Sequence, residues 1–195
     1  MRRRWALPLV CGIALSVPGL GPALASDAVW EGLRGGGHVV LIRHAATEPG
    51  VGDPPGFRLE DCATQRNLSE AGRAEARRIG AVFRQRGIPV QRVLSSRWCR
   101  CLETAQLAFD RVEPWPALDS FFANRSREHE QTRAVRALVA EPFTGGNLIL
   151  VTHQVNITAL TGIVPAPGEI VVLAPKPGGA TEIVGRLPPS AFSGN

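Results

Sequence analysis

Lysine is almost absent from this sequence of 195 residues, where Lys176 is the only one among 22 basic residues. The remaining basic residues are arginines, whose planar guanidinium group donates parallel hydrogen bonds to carboxylates and phosphates. The bias fits a protein that binds anions. A GC-rich genome would produce the same composition.

The sequence also lacks the strong positive charge that typifies nucleic-acid binding. Its formal net charge is +5, but three of the basic residues are Arg2, Arg3 and Arg4 at the N-terminus. Without them, 19 basic residues face 17 acidic ones, which is a net charge of +2. We therefore expect no nucleic acid as a partner.

No segment after residue 20 is long and apolar enough to cross a bilayer. The first residues have the layout of a secretory signal peptide: a basic start, an apolar stretch over residues 5–20, and the small-x-small triplet Ala23-Leu24-Ala25. A retained membrane anchor is the alternative, but Pro8 and Pro18 interrupt the stretch, which is short for a span. We expect residues 1–25 to be cleaved, residues 26–195 to form a single domain, the protein to be periplasmic or secreted, and no stable membrane insertion.

Cysteine is scarce, with four residues of which Cys11 belongs to the signal peptide. Cys62, Cys99 and Cys101 remain, and an oxidising compartment permits one disulfide and one free thiol. We prefer Cys62 with Cys99, and Cys62 with Cys101 is the alternative. Sequence spacing decides neither, and three reduced thiols also remain open.

Apolar segments alternate with segments of helical period, which predicts an α/β domain. Residues 38–43 and 147–152 are nearly all apolar, as in strands that are buried on both faces. Ser69 is a candidate N-cap for the clearest helix, which ends near Gly87. We expect a three-layer sandwich with a largely parallel central sheet flanked by helices. The other expected helices cover residues 29–33, 100–109, 126–140 and 154–161; the other strands cover residues 90–95, 112–118 (an irregular edge), 169–173 and 181–187.

Two histidines and two arginines follow the ends of predicted strands. Arg43 and His44 end one strand, His153 follows another, and Arg100 begins the helix after a third. Ligands of such sheets bind beyond the carboxyl ends of the strands, so these side chains are expected along one rim. The sequence shows no clustered spacing of metal ligands, and we expect no metal and no cofactor.

Four sequence blocks around these residues resemble the histidine phosphatase superfamily, whose fold is that of the cofactor-dependent phosphoglycerate mutases. Leu41-Ile42-Arg43-His44-Ala45-Ala46-Thr47 matches its Arg-His-Gly signature, with Ala45 in place of the usual Gly. The resemblance extends from about residue 38 to residue 173. The other blocks are Leu68-Ser69-Glu70-Ala71-Gly72 with Ala76, Arg100-Cys101-Leu102-Glu103-Thr104-Ala105 with Cys101 in place of Ala, and Val151-Thr152-His153 with Thr152 where Gly is common.

The resemblance implies a phosphomonoester hydrolase that forms a phosphohistidine on His44. Arg43, Arg100, His153 (if protonated) and Thr47 would bind the phosphate, without a metal. The inserts between the blocks leave no room for a long cap, so the substrate is expected to be a phosphorylated small molecule or an exposed phosphorylated glycan or lipid head group. A phosphate-binding module with little catalysis, and a phosphomutase, are the alternatives.

The proton donor to the leaving group is the least defined residue of the site. In one branch of the superfamily the acid follows the irregular strand, where this chain has Asp119. In the other branch an Asp follows the second histidine, but this chain has Gln154 there. Asp119 is therefore the first candidate, Glu169 at the start of the next strand is the second, and Asp119 could equally be a turn or cap residue.

Overall fold

The computed structural model describes residues 22–141, 144–176 and 180–192. Residues 1–21 of the expected signal peptide lie outside this part of the chain. The elements alternate as expected for an α/β domain, with 3-10 turns between several of them. The helices are α1 (Pro22–Gly35), α2 (Glu70–Gln85), α3 (Cys99–Phe109), α4 (Glu128–Ala140) and α5 (Gln154–Thr161); the strands are β1 (Val39–Arg43), β2 (Val90–Ser95), β3 (Glu113–Pro114), β4 (Asn147–Thr152), β5 (Ile170–Pro175) and β6 (Thr181–Leu187).

The six strands form one sheet in the order β3-β2-β4-β1-β5-β6. Strands β3, β2, β4 and β1 run parallel, with Ile42 of β1 opposite Val151 of β4. Strand β5 is antiparallel to both β1 and β6. The predicted sheet is therefore confirmed, with its antiparallel part confined to one edge, and the parallel strands β1, β2 and β4 end on the same side.

The two faces of the sheet carry separate cores, which makes the domain a three-layer sandwich. Val40 and Ile42 of β1 pack with Trp30 of α1 and with α2 and α3, while Val39 and Leu41 pack with α4 and α5. Because β1 and β4 are buried on both faces, their sequences are continuously apolar rather than alternating. None of the helices in residues 22–192 that are described has the length and apolar character of a membrane span.

Helix α2 begins beside the segment that follows His44. The Ser69 side chain accepts a hydrogen bond from the Gly72 backbone N–H at 3.1 Å, as expected for an N-cap. A Cβ at Gly72 would lie 1.8 Å from the carbonyl oxygen of Ala46, so only glycine permits this approach. The superfamily-like block at residues 68–72 thus holds the chain just after the candidate nucleophile.

One disulfide joins Cys62 to Cys99 across 37 residues, and Cys101 is a buried free thiol. The preferred pairing from the sequence is confirmed. The bond links the long loop between β1 and α2 to the first residue of α3, next to Arg100.

Candidate active site

A pocket of about 470 Å³ lies beyond the carboxyl ends of β1 and β4. Arg43 and His44 reach it from the end of β1, His153 from the end of β4, and Arg100 from the first turn of α3. All four rim residues expected from the sequence therefore line a single pocket. The loop between β1 and α2 supplies one wall, with Gly50, Val51, Gly52, Asp53, Phe57 and Arg66.

His44 is held in one tautomer and without charge. Its Nδ1 lies 2.9 Å from the carbonyl oxygen of Ala45, which places the proton on Nδ1 and leaves Nε2 with its lone pair. Burial, followed by the positive charge of Arg100, lowers the pKa of His44 to about 3. Near neutral pH the ring is therefore a neutral base whose free nitrogen can attack an electrophile.

His153 packs against His44 with 5.4 Å between the ring centroids. Its Nε2 lies 2.8 Å from the Ser96 hydroxyl oxygen and 3.5 Å from the Cys101 sulfur. Burial and then the neighbouring His44 and Arg100 hold the pKa of His153 well below its usual range. Since the ring is neutral near pH 7, it can give a phosphate one neutral N–H rather than the charged donor considered from the sequence.

Three arginines, rather than the two expected, line the pocket: Arg43, Arg66 and Arg100. The Nε atom of each is buried and has no hydrogen-bond partner within the described residues. Three guanidinium groups that line one pocket give it a positive charge, which favours the binding of an anion. Arg66 was not predicted from the sequence, because it lies in an irregular loop without periodicity and away from the end of a strand.

Asp53 balances part of this charge. Its carboxylate accepts hydrogen bonds from Arg100 Nη1 at 2.7 Å and Nη2 at 3.2 Å, from Trp98 Nε1 at 2.9 Å, and from the Arg66 backbone N–H at 3.1 Å. Burial alone would raise the pKa of Asp53, but the hydrogen bonds and charge of Arg100 outweigh it and lower the pKa. With His44 and His153 neutral, the charged residues that line the pocket sum to a net charge of +2.

The sequence of residues 39–128 matches the model of the histidine phosphatase superfamily (branch 1). Over these residues the chain is similar to that superfamily. No curated protein sequence matches the chain significantly. The fold of the superfamily is also found by comparison with solved structures. The protein histidine phosphatase SixA in complex with tungstate has a TM-score of 0.59 and 16% identity, and the match covers 80% of this chain and 99% of that one. The putative phosphohistidine phosphatase SixA from Agrobacterium tumefaciens has a TM-score of 0.51 and 22% identity, and the match covers 77% of this chain and 97% of that one. The mycobacterial glucosyl-3-phosphoglycerate phosphatase has a TM-score of 0.52 and 18% identity, and the match covers 70% of this chain and 89% of that one.

Neither carboxylate proposed as the proton donor lines the pocket. Asp119 is completely buried and accepts hydrogen bonds from the Arg97 backbone and guanidinium at 2.9 Å. Its nearest link to the site is the Ser96 hydroxyl at 3.4 Å. Glu169 is buried elsewhere, where it accepts hydrogen bonds from Arg186 at 2.6 Å and from the backbone N–H of residue 166.

Thr47, expected from the resemblance to bind phosphate, does not line the pocket. Its hydroxyl accepts a hydrogen bond from Arg66 Nη1 at 2.7 Å. The aromatic side chains of Trp98 and Phe122 line the pocket, whereas Phe121 is buried in the core. Within the described residues, no group of three or more histidine, cysteine, aspartate or glutamate side chains is arranged to hold a metal ion.

Proposed function

We propose that this protein is a phosphomonoester hydrolase that acts through a phosphohistidine on His44. The observation that carries the proposal is a neutral His44, with its proton fixed on Nδ1, in one pocket with three arginines whose Nε atoms lack partners. The match of residues 39–128 to the superfamily model supports a phosphatase-type activity. Neighbours of the same fold, a protein histidine phosphatase and a glucosyl-3-phosphoglycerate phosphatase, are consistent with it.

The reaction has two steps. The lone pair of His44 Nε2 forms a bond to phosphorus while the P–O ester bond breaks and its electron pair leaves with the ester oxygen. Arg43 and Arg100 bind the equatorial oxygens through charged hydrogen bonds, which stabilise the transition state. The leaving oxygen takes up a proton from solvent. Water then forms a bond to phosphorus while the P–N bond breaks and its electron pair returns to Nε2; the water proton is lost to solvent, and inorganic phosphate and neutral His44 are released.

Protonation of the leaving oxygen limits the choice of substrate. Asp53 is the one carboxylate among the described residues that line the pocket, and its pKa is lowered, so it stays ionised and cannot donate a proton. We infer that the enzyme prefers esters whose leaving group is a weak base, such as aryl phosphates, over alkyl phosphates. Asp119 could take part only through Ser96 and His153.

Hydrolysis of a chromogenic aryl phosphate by the purified protein tests the proposal. Wild type should be active in the presence of a chelator, His44→Ala should lose the activity, and acid quenching should trap a phosphoenzyme in wild type only. A wild type that binds phosphate but cleaves neither aryl nor alkyl esters would instead support the binding module. Transfer of the phosphoryl group to a second substrate in preference to water would support the phosphomutase.

A comparison of ester classes in Asp119→Asn tests the proton donor. Because Asp119 is buried behind Ser96, we expect the variant to lose aryl and alkyl phosphatase activity by similar factors. A loss confined to alkyl esters would establish Asp119 as the acid. Glu169→Gln serves as a matched variant, since its carboxylate is bound to Arg186 away from the pocket.

We also propose that the protein is exported to the periplasm or secreted, and acts there on a phosphorylated small molecule or on a phosphorylated glycan or lipid head group. The signal-like residues 1–25 and the Cys62–Cys99 disulfide support export, since disulfides persist in oxidising compartments. Mass spectrometry of the protein from a cell fractionation should give a mature N-terminus at Ser26. A full-length protein in the cytoplasmic fraction would contradict the proposal.

A further inference from the structure

We propose that Arg66 is a third phosphate-binding arginine, a substrate-binding residue that acts with Arg43 and Arg100 on the phosphoryl group. Its effect on turnover rests on the proposed phosphatase function, whereas its effect on phosphate binding does not. None of the sequence blocks that resemble the superfamily includes this position.

The backbone of Arg66 is fixed directly to the phosphate site. Its N–H donates to Asp53 Oδ1 at 3.1 Å, and its carbonyl oxygen accepts from Arg100 Nη1 at 3.3 Å. The preceding residue, Gln65, is buried and accepts a hydrogen bond from the Cys99 backbone N–H at 3.0 Å. Arg66 is therefore held at a defined position relative to Arg100 before any ligand arrives, which lowers the entropic cost of binding.

The side chain of Arg66 is only partly satisfied by protein groups. Nη1 donates to the Thr47 hydroxyl at 2.7 Å and to the Gly50 carbonyl at 2.9 Å. Nε is buried without a partner, and no carboxylate within the described residues forms an ion pair with Arg66. Nη2 forms no hydrogen bond with the described residues, so an anion in the pocket would give this charged group a partner.

The charge of the pocket depends on Arg66. Arg43, Arg66 and Arg100 carry three positive charges against the single negative charge of Asp53. A phosphate monoester carries up to two negative charges near neutral pH, so the net charge of +2 matches the dianion. Removal of Arg66 would leave +1, and the dianion would no longer be balanced. Burial, followed by the positive charges of Arg66 and Arg100, lowers the pKa of Arg43, and an anion in the pocket would reduce the repulsion among the three guanidinium groups.

Arg66 could instead have a purely structural role and hold its loop through Thr47 and Gly50. The two roles differ in what they predict for ligand binding. In a structural role, loss of Arg66 would lower the stability of the protein and would weaken the binding of every ligand of the pocket through a change in the position of the loop. If Arg66 binds phosphate, the affinity for phosphate depends on the positive charge of its side chain and on the paired N–H donors of its guanidinium group.

Calorimetric titration of the purified protein with inorganic phosphate distinguishes the two roles. The variants are Arg66→Gln, Arg66→Lys and the matched control Arg58→Gln, an exposed arginine of the same loop that pairs with Asp61. Loss of one charged hydrogen-bonding group should raise the dissociation constant of phosphate by roughly 10-fold to 100-fold in Arg66→Gln. Arg66→Lys should recover part of the affinity, and Arg58→Gln should stay within about 2-fold of wild type.

Each outcome bears on the proposal. If a folded Arg66→Gln binds phosphate as tightly as wild type, Arg66 is not a phosphate-binding residue. If wild type binds phosphate through Arg66 but hydrolyses no ester, the proposed phosphatase function fails while this inference stands. With an active enzyme, kcat/KM for an aryl phosphate should fall in parallel with phosphate affinity, since the same contact serves substrate and transition state.

Discussion

The Cys62–Cys99 disulfide should contribute a large share of the stability of the domain. The bond closes a segment of 37 residues. In the chain-entropy model, closing a loop of this length removes about 13 cal/mol/K from the unfolded ensemble, or about 4 kcal/mol at 25 °C. For a domain of this size each kcal/mol shifts the melting temperature by roughly 2–4 °C, so reduction should lower it by roughly 8–16 °C.

The bond also restrains the wall of the pocket. It joins the loop that carries Asp53 and Arg66 to the helix that begins beside Arg100. When the disulfide is reduced, only hydrogen bonds such as those between Asp53 and Arg100 hold the loop against the start of α3. Reduction should therefore weaken phosphate binding at temperatures where the protein is still folded.

The assay compares thermal unfolding and phosphate titration with and without a reductant. The Cys62→Ser/Cys99→Ser double variant should melt like the reduced wild type and should not respond to reductant. Cys101→Ser, which keeps the disulfide, should still respond. If reduction of wild type lowers the melting temperature by less than roughly 3 °C, the loop is ordered in the unfolded chain or held by other contacts, and the reasoning is refuted.

Two further predictions concern stability. The pKa of His44 is lowered to about 3 in the folded state. Between about pH 6.5 and pH 3 the unfolded chain therefore binds a proton at His44 that the folded chain does not, and this group lowers the free energy of unfolding by about 1.4 kcal/mol for each unit by which the pH falls. Urea unfolding at pH 7 and pH 5 should show a smaller difference in His44→Gln than in wild type. A Cβ at Gly80 would lie 2.0 Å from the Ala108 carbonyl oxygen, so Gly80→Ala should lower the free energy of unfolding in urea by roughly 1–3 kcal/mol. Gly35→Ala should not lower it, because a Cβ at Gly35 would have nothing within 4 Å. Equal stabilities of the two variants would contradict the packing of α2 on α3.

Residues whose position follows from a regular element could be predicted from the sequence. His44 and His153 follow strands that are recognisable as apolar runs, and parallel strands bring their carboxyl ends to one edge. Ser69 could be predicted as an N-cap because its pattern is local, and the structure confirms it. Arg100 follows the same logic, as the first turn of a helix after a parallel strand.

Residues whose position depends on the path of a loop could not be predicted. Asp53 and Arg66 are 13 residues apart in a segment with no period, and hydrogen bonds across that loop bring them together. Asp119 lies where the resemblance places the acid, but the Arg97 guanidinium binds its carboxylate. A sequence pattern gives the position of such a carboxyl group along the chain, whereas its partner is defined only by the folded structure.

The burial of the Cys101 thiol protects the Cys62–Cys99 disulfide from exchange. It lies two residues from Cys99, so it could in principle attack the bond and exchange partners. The thiolate is the species that attacks a disulfide, and burial raises the pKa of Cys101 to about 12. At pH 7 the thiolate fraction is then roughly a thousandfold below that of an ordinary cysteine. Once the core has closed over Cys101, disulfide shuffling is suppressed, and the presence of this free thiol is compatible with a single lasting pairing.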